Sequence, residues 1–325
     1  MATIHFLNVD QGDCSIIQHE DDKVTMIDVC CAHQHAIVEK AFTGNVLQPI
    51  RGNFRQKDNP ENPLSYLQML GVKSIFRYIQ THPDMDHMDG LNSISRNFKI
   101  YNFWDTANTK ELEFSKPCKY NEEDWNCYQK LRKSKDNPKA LVLYSGQKNR
   151  YYASDDKGLK TDDYLEILSP TKDLIKAANQ AKEWNDSSYV ILYNIQGRKI
   201  LFCGDAGDST FEHLLKNNRT EISNIDVLIA PHHGRRAQIK DYSFLAVMKP
   251  KLTLFGNADN QFLAYEKYKP HLINNQCGNI VLEINNGRIY VFVSNKIYAT
   301  KEIMAQHKQL THRHPTLEAW LISKF

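Results

Sequence analysis

The sequence predicts an α/β fold, because strand-like runs dominate both ends of the chain and helix-like segments lie between them. Short apolar runs bounded by acidic, Gly, Pro or Asn residues are typical of strands. Other segments place apolar residues three or four positions apart, which predicts interspersed helices. The 325 residues contain no internal repeat or low-complexity tract, and one large domain accommodates them.

The predicted elements follow one another along the whole chain. The predicted strands are residues 4–9, 14–18, 24–29, 74–79, 164–168, 189–195, 199–203, 226–230, 252–255, 280–284 and 289–293, and the predicted helices are 65–70, 211–215 and 242–248. The last two strands flank Asn286-Gly287, a strong hairpin signal. The first three strands, with Gly and acidic breaks between them, predict an antiparallel start to a sheet.

Other stretches read as loops or additions to the main domain. Residues 43–63 are rich in Asn, Gly and Pro and predict a loop. The charged stretch at about 110–161 has few apolar periods and predicts an insertion. We expect a domain over 1–300 and a C-terminal helical tail over 301–325, whose basic residues favour a solvated helix.

Composition excludes several classes of protein. With 41 basic and 38 acidic residues, the net charge of +3 by itself does not indicate a nucleic-acid-binding protein. The seven cysteines include no CxxC pair, which argues against a disulfide framework or zinc knuckle and fits a reducing compartment. The start of the chain lacks the apolar run of a signal peptide, and no apolar stretch is long enough for a membrane span. We expect a cytoplasmic protein without a membrane partner.

The segment from His82 to His87 is the densest group of chemically active residues. Its six residues contain two imidazoles and two carboxylates. The carboxylates of Asp84 and Asp86 would raise each other's pKa unless a cation lay among them. Imidazole nitrogen and carboxylate oxygen are common ligands of Zn²⁺ and Mn²⁺. Because an apolar strand precedes the segment, we predict a metal-binding loop at a strand end.

Two later strand ends carry further ligand types. Asp205 follows the apolar run 201–203 through a Gly, and His232-His233 follows the run 227–230. Each is a weak indication alone, because a Gly-Asp pair often marks a turn and a lone histidine is often structural. Together with the loop at 82–87, they predict a site for two metals built from distant strand ends.

Six segments carry a resemblance to a known family. They are 8–13 (NVDQGD), 26–28 (MID), 82–90 (HPDMDHMDG), 185–190 (NDSSYV), 204–205 (GD) and 232–235 (HHGR). They resemble motifs of the metallo-β-lactamase superfamily, and most of all the branch related to the hydrolase domain of the DNA-uptake protein ComEC. The resemblance covers about residues 2–295. It implies a four-layered αββα sandwich and a metal-dependent hydrolase domain.

The resemblance also implies two divalent ions, Zn²⁺ or Mn²⁺, and a ligand set for each. The first ion takes His82 and Asp84, the second takes Asp86, His87 and His233, and Asp205 bridges the two. Asp86 and His87 are the implied catalytic residues, with Asp86 orienting the attacking water.

Supporting residues follow from the same resemblance. Asp28 either fixes the tautomer of a ligand or only ends a strand. His232 is expected as a neighbour of the ligands, and Asn185 and Ser187 as residues behind them. We expect Arg235 and Arg236 to contact substrate, with solvated surface charge as the alternative.

The sequence departs from the family pattern at several positions. Asp84 stands where most of the superfamily has His, and Asp89 stands where the branch usually has Gly. The third superfamily motif has no histidine. The oxygen-rich ligand set shifts the expected preference toward harder ions such as Mn²⁺. Arg235 replaces the Ser that usually follows the second histidine motif.

The expected activity is hydrolysis of a phosphodiester in nucleic acid or a nucleotide, through a metal-activated water. Two alternatives stay open, namely a hydrolase of a small ester, lactone or lactam, and a non-catalytic binding module. Both Asp86 and His87 are present, which argues against the binding module. The resemblance also suggests a protein partner in a bacterial defence or DNA-processing system.

Overall fold

Two β-sheets form the centre of the protein. The computed structural model describes residues 1–33, 53–114, 119–147, 162–307, 309 and 312–325. Within these ranges the larger sheet has nine strands in the order β15-β14-β13-β1-β2-β3-β4-β5-β6, and the smaller has six in the order β12-β11-β10-β9-β8-β7. The strands are β1 Ala2–Phe6, β2 Ser15–Gln18, β3 Val24–Ile27, β4 Ser74–Ile79, β5 Lys99–Asp105, β6 Lys139–Val142, β7 Asp163–Ser169, β8 Val190–Ile195, β9 Arg198–Phe202, β10 Val227–Ile229, β11 Leu252–Phe255, β12 His271–Ile273, β13 Ile280–Asn285, β14 Arg288–Val293 and β15 Trp320–Lys324.

Helices flank the two sheets. They are α1 Pro63–Met69, α2 Leu91–Asn97, α3 Glu122–Leu131, α4 Lys172–Ala181, α5 Asp208–Asn217, α6 Phe244–Met248, α7 Asn274–Cys277 and α8 Lys296–Ala305. Cys277 of α7 and Ala299 of α8 join the core between the sheets, whereas α1, α2, α3, α5 and α6 pack on the outer faces. Leu67, Ile94 and Tyr128 of α1, α2 and α3 pack in one apolar cluster with outward residues of the larger sheet. Phe211 and Phe244 of α5 and α6 pack in another, against the smaller sheet.

The main core lies between the two sheets. Alternate residues of β1, such as Ile4 and Phe6, meet Ile191 of β8 and Phe202 of β9 in a shared apolar cluster. Each of these side chains is at most 2% exposed, and their burial between the sheets stabilises the sandwich. With helices outside and two sheets inside, the four-layered αββα sandwich predicted from the sequence is confirmed.

Part of the expected insertion at 110–161 belongs to the regular fold. Helix α3 buries Trp125 and Tyr128 against the larger sheet. Strand β6 pairs in parallel with β5 and forms one edge of that sheet. The charged composition concealed these elements because their outer faces are polar. Residues 115–118 and 148–161 lie outside the described residues, as do 34–52 of the expected loop at 43–63.

The expectation of a helical tail over 301–325 is wrong for its last residues. Helix α8 ends at Ala305, and β15 pairs antiparallel with β14 at the edge of the larger sheet. An unpaired strand edge presents backbone donors and acceptors that a further strand can satisfy. Ile322 also joins the core between the sheets. Residues 308, 310 and 311 of this tail lie outside the described residues.

Across the described ranges, no helix combines the length and apolar character that a membrane crossing requires.

A buried histidine at the start of the larger sheet gives a prediction about acid stability. His5 on β1 is 1% exposed and contacts Tyr66 Oη and Gln18 Oε1, each at 3.0 Å. Burial lowers its pKa to about 4, with a smaller opposing effect of the Gln18 contact. Between pH 6.5 and 4 only the unfolded chain takes up this proton, so the free energy of unfolding falls as the pH falls.

We expect the His5 proton alone to reduce the free energy of unfolding by up to about 3 kcal/mol between pH 6.5 and 4. Urea unfolding at several pH values would measure the slope, with His5→Gln as the comparison. The variant should lose this part of the pH dependence, whatever its stability at pH 7. Parallel pH profiles for the two proteins would contradict the assignment.

Candidate metal centre

The predicted ligands meet at one edge of the sandwich. Strands β3 and β4 are parallel, and so are β9 and β10, so the carboxyl ends of each pair lie together. Asp28 follows β3, the 82–87 loop follows β4, and Asp205 follows β9. His232 and His233 follow β10. The site therefore lies where strand ends of both sheets converge, a usual position for sites in α/β folds.

One group of side-chain atoms surrounds Asp205 Oδ2. His82 Nε2 is 3.7 Å from Asp205 Oδ2 and 3.7 Å from Asp84 Oδ2. His232 Nε2 lies 3.5 Å from the same Asp205 oxygen. This group contains both residues expected for the first ion and also His232, which the sequence placed only nearby.

A second group surrounds the other oxygen, Asp205 Oδ1. His87 Nε2 is 3.1 Å and His233 Nε2 is 3.6 Å from this atom. His233 Nε2 is also 3.8 Å from Asp86 Oδ2. One ligand atom each from Asp86, His87 and His233 lie within 4.8 Å of one another. The structure thus brings together the three residues expected for the second ion.

The donor atoms in the pocket fit a divalent cation. The Nε2 atoms of His82, His87 and His233 and Asp205 Oδ1 are buried without a hydrogen-bond partner within the described residues. Buried polar atoms without partners are costly, and divalent ions bound by the two donor groups would satisfy all four. The side chains of His82, His87 and His233 are 0% exposed, whereas Asp84 and Asp86 are 32% and 21% exposed. Solvent therefore reaches the pocket from the side of the two aspartates.

Asp28 lies behind two of these histidines. Its Oδ2 is 2.7 Å from His87 Nδ1 and accepts a hydrogen bond from Thr81 Oγ1. A carboxylate only accepts, so His87 carries its proton on Nδ1 and its Nε2 lone pair faces the pocket. Because the Thr81 hydroxyl donates its hydrogen bond to Asp28, its oxygen can accept a hydrogen bond from His82 Nδ1, which is 3.0 Å away. Thr81, which the sequence did not single out, thereby extends the same constraint to His82.

Asp13 has the same relationship to His233. Asp13 Oδ1 is 3.0 Å from His233 Nδ1, which directs Nε2 of that ring into the pocket. Asp13 lies in the NVDQGD segment but was not expected as a site residue. Its distance of 220 positions along the chain from His233 explains why spacing gave no indication of the contact.

The pocket has an excess of negative groups that favours bound cations. Burial lowers the pKa of His233, but Asp13 and Asp205 outweigh this and raise it to about 10. For His87, the carboxylates of Asp205 and Asp28 outweigh burial in the same way and raise its pKa. Burial raises the pKa of Asp205, yet the surrounding imidazoles hold it well below its usual range. Carboxylates that draw protons onto buried imidazoles will bind metal ions in competition with those protons.

Lys110 enters the pocket from the predicted insertion. Its ammonium group forms a short ion pair with Asp84 Oδ1, and its side chain is 15% exposed. The same ammonium group lies 5.2 Å from the centre of the Trp184 ring. The sequence gave no indication that this lysine lies in the pocket, because it is one of many charged residues in its stretch of the chain. At the solvent side of the pocket, the structure therefore places a cation and an aromatic face together.

Asn185 and Ser187 were expected behind the ligands. Ser187 Oγ donates a hydrogen bond to the Trp184 carbonyl at 2.6 Å. The neighbouring Ser188 contacts Asp205 instead, because its Oγ accepts a hydrogen bond from Asp205 N at 3.2 Å. Asn185 is half-buried in the same short 3-10 helix as Ser187. The role expected for Asn185 stays a prediction.

The two arginines differ in their surroundings. Arg236 donates to the Leu263 carbonyl and pairs with Glu266 on an exposed part of the surface. Arg235 lies nearer the pocket, where its charge contributes to lowering the pKa of His232 after the larger effect of burial. Its buried Nε lacks a hydrogen-bond partner among the described residues. Of the two, Arg235 is the better placed for an anionic ligand.

Comparisons with known proteins gave matches at the level of structure. The sequence matches no family model and no curated protein. A mutant of the β-hydroxylase CmlA has a TM-score of 0.44 and 10% identity, over 78% of this chain and 45% of that one. This chain therefore spans less than half of that protein.

Two further solved structures are similar. A diphosphatase from the PhnP family has a TM-score of 0.38 and 11% identity, over 79% of this chain and 86% of that one. The Rm3 metallo-β-lactamase has a TM-score of 0.35 and 12% identity, over 71% of this chain and 76% of that one. Identities of 11% and 12% do not assign the function of either protein to this chain.

Proposed function

We propose that this chain is a metal-dependent hydrolase of the metallo-β-lactamase superfamily, related to the ComEC-like branch, with two divalent ions at the strand ends. The observation that carries the proposal is the arrangement around Asp205. Its two carboxylate oxygens face separate donor groups, Oδ2 with His82 and Oδ1 with His87 and His233. A carboxylate in that position suits a bridge between two ions.

Zn²⁺ or Mn²⁺ at this site would supply a nucleophile at neutral pH and neutralise charge that develops on the substrate. The protein's own contribution is to hold the donors in place. Asp28 and Asp13 fix His87 and His233 from behind. Asp86 lies on the side that solvent reaches, where its carboxylate can orient water and accept a proton.

A phosphodiester is the substrate class that the pocket supports best. Lys110 brings a positive charge to the solvent side of the site, and the Arg235 Nε donor has no hydrogen-bond partner in the part of the chain that the structure describes. Cations at that position stabilise the phosphoryl oxygens of a bound substrate. The exposed part of Trp184 beside Lys110 offers a face on which a nucleobase can stack. We therefore propose nucleic acid or a nucleotide as the substrate, with any protein partner belonging to a DNA-processing or defence system.

We expect Asp86→Ala to reduce hydrolysis of bis-p-nitrophenyl phosphate by at least about 100-fold, because a carboxylate that moves a proton contributes at that level. Activity is measured with Zn²⁺ and with Mn²⁺, and circular dichroism checks the fold. Asp136→Ala, at an exposed position, is the matched control and should retain full activity.

Unchanged turnover in Asp86→Ala would remove this mechanism. A panel with p-nitrophenyl acetate and a lactam tests the alternative of a small ester, lactone or lactam. If the wild-type protein cleaves these and ignores the phosphodiester, the substrate class is wrong although the metal site stands. If it binds ions and cleaves none of the three, the binding-module alternative is favoured.

A further inference from the structure

The turn that carries His232 and His233 has an unusual backbone. Both residues have positive φ, at 50° and 54°, within the short segment Pro231–Gly234. In this left-handed region a residue with a side chain is strained, because its Cβ comes close to the following carbonyl oxygen. Such strain persists where the surrounding structure imposes it, and it is frequent at functional sites.

The consequence of this backbone is that two consecutive side chains point to one pocket. In an extended strand, neighbouring side chains point to opposite faces. Here His232 Nε2 lies 3.5 Å from Asp205 Oδ2, and His233 Nε2 lies 3.6 Å from Asp205 Oδ1. The turn therefore directs the two imidazoles at different oxygens of one carboxylate, and each imidazole joins a different donor group.

We infer that His232 is a ligand of the first ion and completes its set with His82, Asp84 and Asp205. This inference rests on the proposed two-metal site and goes beyond the expectation that His232 is only a neighbour. The sequence contains no histidine between His87 and His213, so the position of the third superfamily motif supplies no imidazole. His232 supplies it from the later strand end.

The distances match this assignment. Ligand atoms that bind one tetrahedral ion at 2.0–2.2 Å lie about 3.3–3.6 Å apart. From His82 Nε2, the oxygens of Asp84 and Asp205 are each at 3.7 Å, and His232 Nε2 is 3.5 Å from the Asp205 oxygen. A hydrogen bond from an imidazole to a carboxylate would be shorter, at about 2.7–3.2 Å. His82 Nε2 and His232 Nε2 thus each lie at about the separation of two ligands of one ion from Asp205 Oδ2.

The test measures ion binding and does not depend on activity. His232→Asn removes the imidazole, and Asn, like His and Asp, is among the side-chain-bearing residues that tolerate the left-handed backbone best. Elemental analysis after dialysis, and competition with a chromophoric chelator, are carried out with Zn²⁺ alone and with Mn²⁺ alone. We expect two ions in the wild-type protein, and in the variant one ion at full affinity and one bound at least about 100-fold more weakly.

Further variants separate the first ion from the second. His307→Asn is the matched control, because His307 is exposed and also has positive φ, at 56°. The double variant His232→Asn/His82→Ala should still bind the second ion, because both substitutions affect only the first. The double variant His232→Asn/His233→Asn should bind neither ion at full affinity. His232→Asp returns a ligand atom to the same backbone and should restore the weakened ion.

The outcomes distinguish this inference from the proposed function. Two ions at unchanged affinity in His232→Asn would overturn the role of His232 and leave the two-metal site intact. A wild-type protein that takes up neither Zn²⁺ nor Mn²⁺ would overturn the proposed function itself. If His232→Asn fails to fold, the ion content of folded His232→Gln decides between ligand and neighbour, because only the ligand role predicts that this variant binds the first ion more weakly than the wild-type protein does.

Discussion

Asp205→Asn is expected to abolish the binding of both ions and to lower hydrolysis by at least about 10,000-fold. The two oxygens of Asp205 lie 3.1 Å from His87 Nε2 and 3.7 Å from His82 Nε2, so one carboxylate serves both donor groups. An amide has the same shape but offers one neutral oxygen, and it cannot bridge. Losing two cations that stabilise charge removes several kcal/mol of catalysis.

The ion content and the rate are measured on the same preparation of Asp205→Asn. Because Asn fills the space of Asp, the chain should remain folded, and thermal unfolding without added metal checks this. Asp173→Asn, at an exposed position in the first turn of α4, is the control and should bind two ions. If Asp205→Asn kept both ions, the bridging role would be wrong.

Gly12→Ala is expected to destabilise the protein by about 2–4 kcal/mol and to weaken ion binding. Gly12 has φ 99°, and an added Cβ would lie 1.9 Å from the Asp86 carbonyl oxygen. The backbone of either the 8–13 segment or the 82–87 loop must therefore move, and overpacking of this kind costs about 1–3 kcal/mol beyond the backbone term. The displacement affects Asp86 directly and His233 through Asp13.

Two other glycines serve as controls, because Ala there tests the cost of positive φ without a steric clash. Gly71 and Gly197 have φ 70° and 73°, and an added Cβ at either position meets no atom within 4 Å. Their Ala variants should lose only about 1 kcal/mol each, with unchanged ion affinity. Urea unfolding with and without Zn²⁺ provides the comparison. Equal losses at all three positions would mean that close approach to Asp86 does not constrain Gly12.

The residues that we propose as ligands could be selected from the sequence because each lies next to a recognisable strand. The His82–His87 loop, Asp205 and His233 all follow apolar runs that form buried strands. Parallel pairing then brings their carboxyl ends together, which is a property of the fold class. The predicted strands were therefore sufficient to select these candidate metal-binding residues, although the boundaries of the predicted and observed strands differ by a few residues.

The supporting residues could not be predicted in the same way. Thr81, Asp13 and Lys110 act through contacts that only tertiary structure defines, and none stands in a pattern that indicates its partner. The resemblance predicted His232 only as a neighbour of the ligands, whereas in the structure its positive φ turns the ring toward Asp205. Spacing along the chain does not reveal such a turn.

The missed elements have a different physical cause. Strand β5 carries polar and aromatic residues on a partly exposed face, and β15 is an edge strand whose last two residues are exposed. The apolar alternation that identifies a strand is weak in both, so pairing with β4 and β14 determines their structure.

The metal content and metal positions of the purified protein test the central claim most directly. Anomalous diffraction from crystals grown with Zn²⁺ or Mn²⁺ locates each ion without reference to any substrate. We expect two peaks on opposite sides of the Asp205 carboxylate, one beside His82 and one beside His87 and His233. Ions bound elsewhere, or a pocket that stays free of metal at millimolar Zn²⁺ and Mn²⁺, would contradict the account.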